Sequence, residues 1–401
     1  MPFSHHSHSG QFCPGHAKNS LEEVIQTAVS QKMEVFCLTE HMPRHEADLY
    51  PEEVEVHLTE EEMVTNEAEY FKEASRLREK YASQIKILIG FEIDWIRPES
   101  FTLIQKSLSS FPFDFFVGSV HHVHTVPIDY DTPMYEKARE IAGGTDEKLF
   151  EDYFESQFDM LKRLKPPVVG HFDLIRLKSD DPERSFTQWP GVWRKILRNL
   201  DFIADYGGLL ELNSAALRKG MSEPYPKAEI CKEFLVRNGR FCLSDDSHGI
   251  DQVGLNFHRV LQFMEDIGIR IFKELQTIKM SQGSWTRTVL QEGDKQNFPK
   301  KGDVVAIHYT GCLYDPSKTN NMGKKFDSSH DRGTPLSTPI GVGRVIQGWD
   351  EGVQEMSLGE KSILTIPGPY AYGDRGFPGL IPPNATLVFE VQLVSLNGKT
   401  A

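Results

Sequence analysis

Seven short apolar segments, each followed by a longer segment with helical spacing, restrict the fold of the first two-thirds of this 401-residue chain. Strands that alternate with helices favour a parallel sheet with the helices outside it. Seven such units in about 260 residues predict a closed barrel of seven or eight strand–helix repeats. The predicted strands are Met1–His8, Val35–His41, Ile85–Glu92, Phe113–His121, Pro167–His171, Gly208–Asn213 and Gly239–Asp246.

Three helices between these strands have recognisable ends. Asn19 is predicted to cap a helix that carries four apolar residues at helical spacing. Thr59, with Glu62 three residues later, forms a capping-box pattern that opens a long helix through about Tyr81. Residues 190–206 are predicted to form a helix that ends before a pair of glycines.

Residues of types that can bind metal or phosphate stand at the end of every predicted strand. They are His6 and His8, Glu40 and His41, Glu92, His121 and His122, His171, Glu211 and Asn213, and Asp246 and His248. The carboxyl ends of parallel strands meet on one face of a barrel, and residues i and i+2 point to the same side. Any one such histidine is more often structural, but their coincidence at nearly all of the strand ends predicts a metal site. Mixed imidazole and carboxylate ligands suit Zn²⁺, Fe²⁺ or Mn²⁺.

Seven motifs along residues 1–268 carry a family resemblance. They are HHSHSG, LTEH, GFEIDW, GSVHHV, GHFDLIR, ELNSAALRKGMSEPYP and LSDDSH. In this order and spacing they resemble the histidinol-phosphatases of the PHP (polymerase and histidinol phosphatase) family. The resemblance implies an α/β fold with a distorted (β/α)7 barrel. It also implies hydrolysis of L-histidinol phosphate, in histidine biosynthesis, by hydroxide that divalent metal ions activate.

The same resemblance implies three divalent metal ions in one site. The first would be bound by His6, His8, Glu92 and Asp246, the second by Glu92, His121 and His171, and the third by His16, His41 and His248. Arg176 and Arg218 are implied to hold the phosphate, because a guanidinium fork fits two phosphate oxygens. The residue that protonates the leaving alkoxide is left open between Asp246 and a site histidine such as His248.

After residue 260 the composition changes, since 13 of the 15 histidines precede that point and β-type segments dominate beyond it. The segments VVAIHYTGCL, GKKFDSS, VIQGWDEGV, GEKSILTIPGPYAYGDRGFPG and IPPNATLVFEVQLVSL resemble the FKBP-type peptidyl-prolyl cis-trans isomerases. The predicted fold is α+β, with an antiparallel sheet wrapped on a short helix. Its predicted strands include 304–309, 361–366 and 387–393, and the helix is expected near residues 349–356.

The second resemblance also implies a pocket. Tyr309, Asp327, Trp349 and Tyr372 would act in catalysis, and Phe326, Val345, Ile346 and Phe389 would bind the substrate. A dry aromatic cup favours the twisted amide of an X-Pro bond over the planar ground state. Prolyl peptides or proteins, and macrolides, are the expected ligands. Leu336, Thr338 and Phe377 depart from the residues frequent in the family, which is expected to alter affinity but not to abolish activity.

The predicted domains are residues 1–270 and 284–401, joined by a linker over 271–283. A net charge of −14 disfavours nucleic acid as a partner, and the lack of an 18-residue apolar run disfavours a membrane span. The five cysteines are scattered and odd in number, which is typical of a reducing compartment. With no secretion signal visible at the N-terminus, a cytoplasmic location is expected.

Three alternatives stay open at this level. The barrel could belong to a PHP-type nuclease or another phosphoesterase, although the acidic charge counts against a polynucleotide substrate. The second domain could be only a binding module. The two modules could also be separate proteins joined in the gene model.

Overall fold

The computed structural model describes residues 3–269, 285–315, 318–377, 379–383 and 385–400. The chain divides into two compact units, Met1–Met280 and Ser281–Ala401. This division falls within the predicted linker 271–283, whose own structure lies outside the described residues. None of the helices described has both the length and the apolar character needed to cross a membrane.

A parallel seven-stranded sheet forms the centre of the first unit. The strands described in the first unit, inside and outside this sheet, are β1 (Phe3–Ser4), β2 (Val35–Leu38), β3 (Lys86–Asp94), β4 (Phe115–Ser119), β5 (His122–Val123), β6 (Val126–Pro127), β7 (Val168–Val169), β8 (Leu209–Asn213) and β9 (Arg240–Ser244). The order in the sheet is β1-β2-β3-β4-β7-β8-β9, and β5 pairs with β6 in a separate hairpin. A parallel bridge between Ser7 and Ser247 links the two edges, so the sheet is a nearly closed barrel. The predicted fold class is confirmed.

Helices occupy the connections between the barrel strands. They are α1 (Leu21–Ser30), α2 (Pro51–Glu55), α3 (Glu60–Tyr81), α4 (Ser100–Ser110), α5 (Thr132–Ile141), α6 (Asp146–Leu164), α7 (Pro190–Tyr206), α8 (Ala215–Arg218), α9 (Ala228–Val236) and α10 (Phe257–Ile267). The predicted capping box of α3 and the predicted bounds of α7 are both present.

The cap predicted for α1 is wrong by one residue. Ser20, not Asn19, is the N-cap, because Ser20 and Glu23 form a reciprocal capping box. Asn19 precedes it with a φ of 69° and accepts a hydrogen bond from the backbone N–H of Ile250. Asn19 therefore holds the loop after β9 instead of the helix.

Alternate residues of the strands form three layers inside the barrel. The lowest layer is apolar and contains Cys37, Phe115, Val117, Val168, Leu209 and Cys242. Two residues further along the strands lies a layer of small or polar residues, namely Thr39, Ser119, Gly170, Glu211 and Ser244. A Cβ at Gly170 would lie 2.5 Å from Ser119 Oγ, so this position requires glycine. The third layer lies two residues further along, at the top of the barrel, and contains His41, His121, Asn213, Asp246 and, from β3, Glu92.

Glu67 makes the stability of the first unit depend on pH. Its side chain lies buried in α3, where burial raises the pKa of Glu67 to about 7. A raised pKa favours the protonated form, so stability is lost as the pH rises from the unfolded pKa near 4.5 through 7. Glu67→Gln is expected to stabilise the unit by about 1–3 kcal/mol at pH 8 and by much less at pH 4.5. Calorimetric unfolding at both pH values measures the difference.

The matched control for this change is Glu69→Gln in the same helix, where the Glu69 side chain is 60% exposed. The stability of the Glu69→Gln variant should differ little from that of the parent at either pH, because an exposed carboxylate stays hydrated in the folded protein. A Glu67→Gln gain of the same size at both pH values would contradict the prediction.

The second unit is an antiparallel sheet that packs on a short helix. Its elements are β10 (Thr286–Gln291), β11 (Val304–Tyr314), β12 (Met322–Ser328), α11 (Ser329–Arg332), β13 (Leu336–Pro339), α12 (Gln347–Gly352), β14 (Lys361–Ile366), β15 (Leu387–Leu396) and β16 (Lys399–Thr400). The sheet order is β10-β14-β15-β11-β12, with β13 paired to β11 and β16 to β15. Trp349 of α12 is buried with Tyr309 and Phe389 of the sheet in one apolar core. The predicted antiparallel sheet and helix are thus confirmed.

Candidate functional site

Glu92 stands at the centre of a cluster of histidines at the top of the barrel. One of its carboxylate oxygens, Oε2, lies 3.4 Å from His6 Nε2, 3.6 Å from His8 Nε2 and 3.1 Å from His41 Nδ1. The other oxygen, Oε1, lies 3.0 Å from His171 Nε2 and 3.6 Å from His121 Nε2. Ligand atoms around a tetrahedral zinc, each at about 2.1 Å, stand about 3.4 Å apart. The cluster therefore has the spacing of a metal-ligand shell.

Asp246 closes the cluster on the side of β9. Its Oδ1 lies 3.8 Å from His6 Nε2 and 3.5 Å from His8 Nε2. Burial opposes ionisation of Asp246, but the neighbouring imidazoles, His6 foremost, hold its pKa well below the usual range. The same balance of burial against His6 and His121 keeps the pKa of Glu92 well below its usual range. The site thus presents ionised carboxylates in a buried place.

A third group of ligands lies beside the first. Ring nitrogens of His8, His41 and His248 come within 4.8 Å of one another. His16 is more exposed, and its ring centroid lies 4.7 Å from that of His248 and 5.5 Å from that of His41. The structure therefore brings all nine predicted metal ligands together, with His8 shared between two groups and His16 at the rim.

Unpaired nitrogen atoms test whether metal ions fit this site. His6 Nε2 and His8 Nε2 are buried and have no hydrogen-bond partner among the described residues. Buried polar atoms are almost always bonded, so the lone pairs of these nitrogens need a metal ion or a hydrogen-bond donor, which the described residues do not supply. The other nitrogen of His6, Nδ1, is 2.7 Å from Glu211 Oε1, which orients Nε2 toward the cluster. The donor set therefore fits divalent ions.

Glu211 is a positioning residue that the sequence reasoning did not assign. Besides His6 Nδ1, it accepts hydrogen bonds from the backbone N–H of His171 at 2.7 Å and from Ser244 Oγ at 2.6 Å. Ser119 Oγ likewise donates to Glu92 Oε1 at 2.5 Å. These contacts join strands that are far apart in the chain. The only signal in the sequence was the place of Glu211 near the end of a predicted strand.

Asp94 and His122 form a second support beside the cluster. Asp94 lies 3.5 Å from His121 Nδ1 and 3.1 Å from His122 Nδ1. Burial opposes ionisation of Asp94, yet His122 and His121 hold its pKa well below the usual range. His122 itself is buried against Tyr50, with ring centroids 5.2 Å apart. His122 is thus a support rather than a surface residue.

The two predicted phosphate-binding arginines lie in different surroundings. Arg218 is half-buried, and its guanidinium donates to the backbone carbonyls of Asp245 and Asp246 at 3.2 and 3.1 Å. Arg176 is 1% exposed and donates to Asp173 Oδ2 at 3.1 Å and to the backbone carbonyl of Pro224 at 2.9 Å. Arg218 therefore stands beside the cluster, whereas Arg176 is engaged in holding loops of the protein.

The residues of the predicted aromatic cup pack together in the second unit. Its floor is the ring of Trp349, 4.8 Å from that of Tyr309 and 5.1 Å from that of Phe389. Phe326 adds an edge-to-face contact with Phe389 at 5.6 Å. Trp349 Nε1 is buried without a hydrogen-bond partner among the described residues. Val345 and Ile346 are partly buried against this core, and Tyr372 is 40% exposed.

Arg332 is a further residue of this cup that the sequence reasoning missed. It donates to Tyr309 Oη at 2.6 Å and to Asp327 Oδ1 at 2.5 Å, and Tyr309 Oη also donates to Asp327. Burial opposes ionisation of Asp327, but the bonds from Tyr309 and Arg332 lower its pKa. The three side chains therefore form one hydrogen-bonded wall.

A nearly closed parallel barrel with an imidazole–carboxylate cluster at its carboxyl end is the architecture of a PHP domain. The PHP domain family matches residues 4–215, more than half of the chain, and the FKBP-type peptidyl-prolyl cis-trans isomerase family matches residues 295–394. The chain therefore belongs to the PHP family, and its second unit is an FKBP-type domain.

Individual relatives agree with both assignments. The chain is 45% identical to the "Probable histidinol-phosphatase" of Schizosaccharomyces pombe over 67% of its own length and 88% of that protein. It is 63% identical to "FK506-binding protein 1" of Yarrowia lipolytica over 27% of its own length and 94% of that protein. A similar fold, with a TM-score of 0.53 and 20% identity, is seen in the histidinol phosphate phosphatase of Lactococcus lactis, solved with zinc, L-histidinol and phosphate. That match covers 68% of this chain and 95% of the other.

Proposed function

We propose that the first unit hydrolyses L-histidinol phosphate to L-histidinol and phosphate. The observation that carries this proposal is the placement of Glu92 among five histidines, with buried ring nitrogens that have no hydrogen-bond partner among the described residues. The 45% identity to a relative named as a histidinol-phosphatase favours this ester over a polynucleotide. We take the unit to extend over residues 1–270, with residues 284–401 as the second domain.

The ligand sets support up to three divalent ions. His6, His8, Glu92 and Asp246 would hold one ion, and Glu92, His121 and His171 a second. The third would take His41, His248 and the rim residue His16. Zinc is the first candidate because the solved relative contains it. When bound, such ions activate water and neutralise phosphate oxygens.

The residues of the chain supply orientation and charge. Arg218 is placed to bind the phosphate, since its guanidinium lies against the carbonyls of Asp245 and Asp246. An ionised Asp246 holds no proton, so its proposed role is to bind metal and not to protonate the leaving group. His248 Nδ1 lies 2.9 Å from the carbonyl oxygen of Asp246, which orients its ring and leaves Nε2 free to bind metal.

Purified full-length protein is expected to release phosphate from L-histidinol phosphate, to stop after chelation and to recover when Zn²⁺, Fe²⁺ or Mn²⁺ is returned. His171→Ala should remove this activity, because His171 lies 3.0 Å from the central carboxylate. Colorimetric phosphate release measures both effects, with other phosphomonoesters and a polynucleotide as competing substrates. Turnover that survives chelation, or faster cleavage of the polynucleotide, would refute the proposal.

The second unit is proposed to isomerise X-Pro bonds and to bind macrolides in the same pocket. The aromatic cup around Trp349 provides a dry surface that favours the twisted amide. The proposed catalytic residue Tyr372 is partly exposed, and its ring lies 5.9 Å from that of Phe377. All five cysteines of the chain are free, which supports the cytoplasm as the proposed location.

A further inference from the structure

Tyr225 has a hydroxyl group that the fold leaves without a partner. Its side chain is 0% exposed, and Tyr225 Oη has no hydrogen bond to any of the residues described. Burying an unbonded hydroxyl is unfavourable, so such a group in a well-packed unit needs an explanation. Tyr153 and Tyr70 are equally buried in the same unit, but their hydroxyls donate to the carbonyls of Phe172 and Gly90.

The backbone and ring of Tyr225 are held beside the metal cluster. Two hydrogen bonds, of 3.1 and 2.8 Å, pair its backbone with that of Asn213 at the end of β8. The Tyr225 ring meets the ring of the proposed ligand His171 edge-on, with centroids 6.4 Å apart. Arg176 lies over the Tyr225 ring at 5.0 Å from its centroid, and Asp173 holds Arg176 in place. The buried Arg176 thus fixes a tyrosine whose ring contacts a proposed metal ligand.

The hydroxyl of Tyr225 is a hydrogen-bond donor at neutral pH, because a phenol ordinarily titrates only near pH 10. Asn213, whose backbone pairs with that of Tyr225, donates from its side-chain amide to Asp246 Oδ2 at 3.3 Å. Tyr225 is therefore tied through Asn213 to a carboxylate of the metal cluster, and its hydroxyl can donate to an acceptor that binds beside it.

We propose that Tyr225 Oη donates a hydrogen bond to a phosphoryl oxygen of the bound phosphate monoester. The proposal rests on the phosphatase function proposed above. A phosphate group offers the acceptor that the described part of the chain does not provide for this hydroxyl. Tyr225 would then share the phosphate with Arg218, and Arg176 would act only through Tyr225, as a positioning residue.

Tyr225→Phe in the full-length, metal-loaded protein tests this proposal. Inorganic phosphate is the probe, with binding measured by calorimetry and kcat/KM measured on L-histidinol phosphate. The variant is expected to bind phosphate 5- to 50-fold more weakly and to lose kcat/KM by a similar factor, because the hydrogen bond is made to a charged acceptor. Metal content should stay unchanged, and the melting temperature should stay the same or rise, since no bond to the described residues is lost and an unbonded buried hydroxyl is removed.

Tyr135→Phe is the matched control. Tyr135 is also buried, but its hydroxyl donates to Asp146 Oδ1 at 2.8 Å. Asp146 is the first residue of α6 and is not one of the predicted metal ligands. This variant should melt at a lower temperature and bind phosphate like the parent protein, which is the opposite of the result expected for Tyr225→Phe.

Two results would overturn the proposal. One is phosphate binding by Tyr225→Phe within twofold of the parent. The other is a loss of metal content together with a lower melting temperature, which would make Tyr225 a structural residue. If the parent binds phosphate through Tyr225 but does not cleave L-histidinol phosphate, the proposed substrate fails while this inference stands.

Discussion

Glu92→Gln is expected to lower kcat/KM for L-histidinol phosphate at least about a thousandfold, which is about 4 kcal/mol of transition-state stabilisation. The two oxygens of Glu92 face five imidazoles, from His6 and His8 on one side to His171 on the other. An amide removes the negative charge and turns one oxygen into an NH₂ donor that cannot bind a cation. Two proposed metal positions share this carboxylate, so both should lose affinity together.

Metal content by elemental analysis and phosphate release on the same samples measure this effect. Prolyl isomerisation by the second unit serves as an internal control, since the same polypeptide should keep it unchanged. Glu67→Gln is the matched variant, because it makes the same change at another buried glutamate of the barrel unit and should keep both metal and activity. A Glu92→Gln protein with full metal content and activity within tenfold of the parent would contradict the assignment of Glu92 as the shared ligand.

Trp349→Leu is expected to reduce prolyl isomerisation roughly 10- to 100-fold, which corresponds to about 1.4–2.7 kcal/mol. The indole forms the floor of the cup and contacts the rings of Tyr309 and Phe389. Leucine keeps an apolar floor but removes the flat surface and the unbonded Nε1–H. A coupled isomerase assay on a proline-containing peptide measures the loss, and phosphate release by the first unit should not change.

The control for this substitution lies in the same unit. Trp285 packs against the same core, and its Nε1 donates to Glu351 Oε2 at 2.8 Å instead of facing the cup. Trp285→Leu should lower the stability of the second unit while isomerase activity per folded molecule stays the same. Equal losses of activity in the two variants would show that the effect of Trp349 is on stability alone.

Local patterns in the sequence were sufficient to predict the barrel and the positions of its strands. These patterns are short apolar segments, turn residues and the capping box at Thr59 and Glu62. Each acts over a few neighbouring residues, so the strand or helix end that it forms can be predicted from the sequence alone. Eight of the nine predicted metal ligands come together for the same reason, because each stands at or just after the end of a predicted strand and parallel strands end on one face. His16 is the exception, since only the family resemblance implied it.

The supports of the site could not be predicted in this way. Glu211 and His6 are separated by 205 positions in the chain, and nothing near either residue indicates that they are bonded. The burial of Arg176 depends on the carbonyls of Glu223 and Pro224, whose place is set by the bridge between Tyr225 and Asn213. Such contacts form only when the whole barrel closes, so they appear in the structure and not in the motifs.

The three layers inside the barrel place the residues that stabilise the fold and the residues of the metal site at different positions along each strand. The apolar layer around Val117, Val168 and Leu209 lies at one end, and the ligand layer lies four residues further on, at the other. A polar middle layer that includes Glu211 separates them and orients the ligands above it. Ligand residues can therefore be exchanged during evolution or design without opening the apolar floor. Substitutions among the ligands should therefore change metal affinity more than they change the stability of the barrel.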